Sequence, residues 1–272
     1  MPSKHYFTGK RNYLFLIYLV IGIHFATSNV YGWYTENHQR ISRAAIDLLP
    51  EWELSMLKSA ADSLVESYCM YPDWHRSALH DNDEEKIAKY GPYVQLPLLQ
   101  QLGTWHTNDD KNSEICFYIV ADLMHKAIQQ LRNENPMEAA RYMGPLVHFI
   151  EDNACPVHVV DNNLLRELLP VPEELEPFPL HRRVEEPTFP LDISDYQVIE
   201  LGEDIIEAAT AFYPRFVGIR RSGRAQSIPI LQAIYAGNRA EADAGRAQAA
   251  IPAVRLIADV IHTICTIAQD RE

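Results

Sequence analysis

The sequence predicts an all-α protein: one multi-helix domain preceded by a short N-terminal leader. Three observations carry that reading. Apolar residues recur at helical spacing through most segments, alternating strand patterns are nearly absent, and the one long uncharged run stands at the start. With 47% hydrophobic and 22% charged residues, the chain can bury a real core.

The leader comes first. Lys4, Lys10 and Arg11 form a basic segment, Tyr13 to Ala26 is apolar apart from His24, and Thr27 to Gly32 is short and mostly polar. That order is the pattern of a secretory signal peptide, residues 1–32. Fourteen apolar residues interrupted by a histidine are short for a bilayer span. Small residues favour cleavage after Gly32, with Val30 two places earlier, or after Ser28. The first cut makes Trp33 the new N-terminus. No other stretch reads as apolar enough to cross a membrane, so residues 33–272 are expected to be a soluble, secreted or periplasmic domain.

The helices follow in order. Residues 36–49 place Ile41, Ala44, Ala45, Leu48 and Leu49 on one stripe closed by Pro50, and residues 52–68 continue in that style. Residues 114–132 carry Ile115, Ile119, Leu123 and Ile128 behind Ser113 as N-cap. Residues 137–152 form a helix that Pro156 keeps from running on. From Pro170 to Pro190 the chain reads as loop, with one helical turn around His181. Helices resume at 196–213, and a last long one begins near Pro252.

Residues 1–32 hold three basic and no acidic residues, so removing them moves the net charge from −13 to −16. Such a surface lacks the broad basic footprint that tracks a nucleic-acid backbone. None of the four cysteines, Cys69, Cys116, Cys155 and Cys265, lies in a C-x-x-C pair, which argues against a thiolate zinc site. Export permits disulfides; buried free thiols are the alternative.

The informative segment is Leu146 to His158. On a helix His148 and Asp152, at i and i+4, share one face and can grip one metal ion. Pro156 then turns the chain so that His158 reaches back. His181 and Glu185 repeat the i, i+4 pairing. Single pairs carry little weight, because eleven histidines in an acidic chain produce matches by chance, as at His80–Glu84 and His106–Asp110.

The ordered set carries more. Trp33, His38, Asp73, His106, H-x-x-x-D-x5-H at His148, Asp152 and His158, then His181 and Glu185, resemble the zinc-dependent phospholipase C family and its relatives, the single-strand-specific zinc nucleases. The resemblance spans residues 33–185 and implies three zinc ions. Asp73, His106, His148 and Asp152 would hold one; His158, His181 and Glu185 the second; the main chain of Trp33, with His38 and the other Asp152 oxygen, the third. Signal removal would free the Trp33 amine for that role. Asp73 would be a ligand or the catalytic general base. His75 and His80 compete with His106 for its place, while His125 and His262 read as structural.

Five neutral histidines, three carboxylates and three Zn²⁺ leave such a pocket near +3, attractive to a phosphodiester inside an acidic protein. Zinc also acidifies a bound water from 15.7 toward ~7. The chemistry expected is hydrolysis of a phospholipid head-group ester. Glu36 would help hold the head group, and Tyr71, Trp74 and Trp105 could face it, stack on a base, or simply pack. Hydrolysis of single-stranded nucleic acid is the alternative, supported by the five-residue step from Trp33 to His38 and by Arg76. A zinc-binding protein without turnover is a third reading.

Overall fold

The computed structural model describes residues 33–95 and 113–270, all within the unit Gly32–Glu272. Among the described residues there are helices and no strand. The α-helices are α1 (Thr35–Ile46), α2 (Glu51–Leu57), α3 (Ser59–Glu66), α4 (Tyr71–Asp81), α5 (Glu84–Val94), α6 (Ser113–Arg132), α7 (Pro136–Asp152), α8 (Asn162–Leu168), α9 (Leu180–Glu185), α10 (Ile205–Tyr235) and α11 (Arg239–Gln269). Short 3₁₀ turns lie at Tyr68–Met70 and Glu173–Leu175.

The centre is α7. Asn135 caps it by accepting from Glu138 N–H, and Pro136 opens it where a missing donor costs nothing. Every residue from Met143 to Asp152 is buried, so the second half of this helix has no solvent face. It packs against α1 to α6 and α11. Its closest approach is to the Tyr68–Met70 turn, where a Cβ on Gly144 would stand 2.3 Å from the Tyr68 carbonyl oxygen. Only glycine fits there.

The far wall is the long hairpin of α10 and α11. Asp204 caps α10 through the amides of Ile206 and Glu207. Gly237, at φ 67°, ends it in the left-handed conformation that L side chains resist, and Asn238 caps α11.

Several boundaries differ from those the sequence suggests. The second helical stretch divides at Lys58, which takes φ 53°, into α2 and α3. Residues 196–204 are not helical, and α10 starts only at Ile205. Pro214 and Pro229 lie inside α10, and Pro252 lies inside α11 rather than at its start. An internal proline costs about 3 kcal/mol. Here it is offset by burial, since Ala249, Ala250, Ala253, Val254, Leu256 and Ile257 around Pro252 are all in the core. Read as one helix, α11 is also long and apolar enough to cross a membrane, but 72% of its most apolar window is buried inside the fold. Cys69, Cys155 and Cys265 are buried free thiols, not disulfide partners.

Candidate metal centre

Three helices bring the first group of side chains together. From α7, His148 and Asp152 meet one turn apart, with Nε2 and Oδ2 3.3 Å apart. From α4, Asp73 places Oδ1 3.7 Å from the same nitrogen. Pro72 lies in the first turn of α4, where its missing donor costs nothing, and Asp73 follows it in that turn. From α1, His38 stacks on His148 with centroids 4.4 Å apart, and its Nε2 lies 3.6 Å from Asp152 Oδ1. Ligand-capable atoms of His38, Asp73 and His148 lie within 4.8 Å of one another, and all three residues are buried. Ligands on one tetrahedral zinc stand roughly 3.3 Å apart, so this spacing suits a small ion.

Glu151 organises this group and was not singled out by sequence. Its Oε2 lies 2.6 Å from His38 Nδ1, and its Oε1 accepts from Ser42 Oγ at 2.7 Å. Its carbonyl accepts from Trp33 Nε1 at 3.1 Å. A carboxylate on Nδ1 fixes the tautomer that leaves His38 Nε2 with its lone pair toward Asp152. Trp33 is itself fully buried and tilted against Phe189.

The second group begins where α7 ends. The chain turns through Ala154 N–H to Glu151 O, Cys155 N–H to Asp152 O and His158 N–H to Cys155 O, so the reversal starts three residues before Pro156. His158 Nε2 then lies 3.2 Å from Glu185 Oε1, and His181 Nδ1 lies 2.5 Å from the same oxygen. His158 Nδ1, 3.9 Å from Asp152 Oδ1, links the two groups. The short helix α9 is held by its main chain. Asn37 donates to Glu185 O at 2.6 Å, and Arg246 donates to Val184 O and Arg183 O at 2.8 Å each. Asn162 Nδ2 lies 2.7 Å from His181 Nε2. Turned over, the same amide accepts from Nε2–H, the arrangement that frees Nδ1 for a ligand.

Acidic groups dominate the electrostatics. Burial disfavours a charged His148, yet Asp152 and Asp73 outweigh it and push the imidazole up to about 9. Burial also drives Glu151 well above the usual carboxylate range, against the lowering pull of Ser42 and His148. Cys155 rises well above an ordinary thiol through burial, with Glu185 and Asp152 adding to it. The centre is thus rich in carboxylate oxygen and imidazole nitrogen, a donor set that fits a divalent cation.

The remaining residues expected at the site divide clearly. His106 and Trp105 lie outside the described residues. Of the competing histidines, His75 meets Gln95 and His80 meets Asp81. His262 pairs with Glu53 on α2, in keeping with a structural role. Tyr71 is buried among Tyr68, Trp74, Tyr90 and Tyr93, and half-buried Trp74 packs on Tyr71 and Tyr90. Both rings belong to this aromatic cluster beside Asp73. Glu36, two positions before His38, is turned about 200° round α1. It lines a separate cavity of about 500 Å³ with Arg183, Glu186 and Thr188.

No family model, no curated protein and no solved structure matches the chain.

Proposed function

We propose that this chain is an exported, zinc-dependent phosphodiester hydrolase of the phospholipase C type, with its centre on Asp152. The observation that supports the reading is convergence: Asp152 lies between His38, His148 and His158, with Asp73 and Glu185 on either side. These are residues that the resemblance names as metal ligands. The donors are nitrogen and oxygen at spacings suited to zinc, and the pocket is short of positive charge.

Zinc supplies Lewis acidity, acidifies water and holds phosphate oxygens. The chain's own residues do the rest. Asp152, with oxygens toward both groups, would join their positions. Glu151 and Ser42 would orient His38, and Asn162 would orient His181 on the more open side, where the imidazole is 22% exposed. Asp73, 3.7 Å from His148 Nε2, would either complete the ligand set or take a proton from the attacking water.

The acidic surface supports a phospholipid over a polyanion. A single-stranded nucleic acid is the second reading, supported by the five-residue step from Trp33 to His38 and by Arg76. Zinc content of the full chain, measured beside its action on phosphatidylcholine and on single-stranded DNA and RNA, tests all of this. Released phosphocholine is the expected product. Nucleoside 5′-phosphates would transfer the reading to the nucleases, and zinc-loaded protein inert on all three would end the enzyme reading.

A further inference from the structure

Cysteine pairs are the usual mark of a sulfur-containing zinc site, and this chain has none in a C-x-x-C spacing. The fold nevertheless brings one thiol into the second group. Cys155, His158 and Glu185 offer ligand atoms all within 4.8 Å of one another, and all three residues are buried. The Cys155 Sγ to Glu185 Oε1 distance is 4.0 Å, and Glu185 Oε1 to His158 Nε2 is 3.2 Å. On a tetrahedral zinc with a Zn–S bond of about 2.3 Å, sulfur and oxygen ligands stand roughly 3.6 Å apart. The Cys155–Glu185 gap is a few tenths of an ångström wider than that, and the Glu185–His158 gap already matches a zinc pair.

The turn that follows α7 explains the placement. Cys155 N–H bonds Asp152 O and His158 N–H bonds Cys155 O, so the thiol and the imidazole leave one tight reversal together. A cysteine in such a place is ordinarily a small apolar filler. Cys155 is part of the hydrophobic core, yet its sulfur also faces Glu185 and His158, two groups that a purely apolar filler would not need.

We propose that Cys155 is a thiolate ligand of the second metal position, an inference that rests on the metal reading above. On binding, the S–H bond breaks, its proton leaves to solvent and a metal–sulfur bond forms, with no change of oxidation state. With His158 and Glu185, the position then has three protein donors, and His181 Nδ1 stands 2.5 Å from Glu185 Oε1 beside them. The His148 position has only nitrogen and oxygen donors among the described residues. The two positions therefore differ in kind: one contains a soft sulfur donor, suited to zinc, cobalt or cadmium, and the other is hard and nitrogen–oxygen only.

The test is the absorption spectrum of the full chain loaded with cobalt(II) alone. A near-ultraviolet thiolate-to-cobalt charge-transfer band is expected, equal to one thiolate per chain, lost in Cys155→Ser and kept in Cys265→Ser. Bound cobalt without that band, or a band untouched by Cys155→Ser, overturns the proposal and leaves the metal reading standing. No bound cobalt at all overturns both. If Cys155→Ser does not fold, X-ray absorption of the zinc-loaded natural chain decides instead. A sulfur neighbour at about 2.3 Å supports the ligand, and a shell of nitrogen and oxygen alone refutes it.

Discussion

The group around His148 is assembled from α1, α4 and α7, so its members are brought together from residues 38, 73 and 148–152. The group around Glu185 draws on one stretch, from the turn after α7 to the end of α9. The first is sealed: His38, Asp73, His148 and Asp152 are each at most 2% exposed. The second opens to solvent at His181. The difference teaches that the two groups depend on the fold unequally. The first exists only when three helices have packed, and its donors are fixed by a further layer of Glu151, Ser42 and Trp33. The second needs a turn, a short helix and the clamps from Asn37 and Arg246.

Asp152 belongs to both groups, so its loss should have the largest effect. Asp152→Asn is expected to abolish hydrolysis and to lower zinc content by more than one ion per chain, measured on purified protein by elemental analysis. Unchanged zinc would show that the two groups are independent.

Glu151→Ala should separate the groups. It strips the carboxylate from His38 Nδ1 and Ser42 Oγ inside the core. A loss of about 1–3 kcal/mol in stability is expected for unmet buried partners, with roughly 10- to 100-fold weaker metal binding at the first group alone. Denaturant unfolding and chelator competition measure the two, and equal weakening at both groups would contradict the assignment. The smallest effect is that of pH. In the metal-free chain His148 holds a proton up to about 9, and an ion that takes its Nε2 must displace that proton. Affinity at the first group should therefore rise between pH 6.5 and 8.5, by about tenfold per unit for one proton displaced. Chelator competition across that range checks this, and a flat profile at the first group would show that no proton leaves His148 when the ion binds.

The two groups were also unequally legible in the sequence. His148, Asp152, His181 and Glu185 stand out because i, i+4 spacing is a local rule, and His158 follows from the turn. Glu151 escapes that rule because its partner His38 is 113 residues away on another helix. Ser42 escapes it because a hydroxyl is not a metal-ligand type, although it is one turn from His38. Cys155 was passed over because sulfur was sought in pairs. Glu36, Tyr71 and Trp74 show what order along the chain does not reveal: Glu36 is turned away from His38 round α1, and the two rings pack within a cluster of tyrosines. The all-α class was plain from periodicity. The lengths of α10 and α11 were not, because prolines read as boundaries while burial on both sides carried the helices through them.

Gly144 lies one helical turn before His148, where α7 rests on the Tyr68 carbonyl, and Asp73 follows five residues after Tyr68. The gap between Asp73 and His148 is thus gauged by main chain against main chain, not by side chains that can swing aside. A gauge of that kind does not widen for a larger guest. Ions that take six to eight oxygens at 2.3–2.6 Å, as calcium does, need a frame that yields. With the proposed ion bound, this frame would favour a small radius before charge or softness entered.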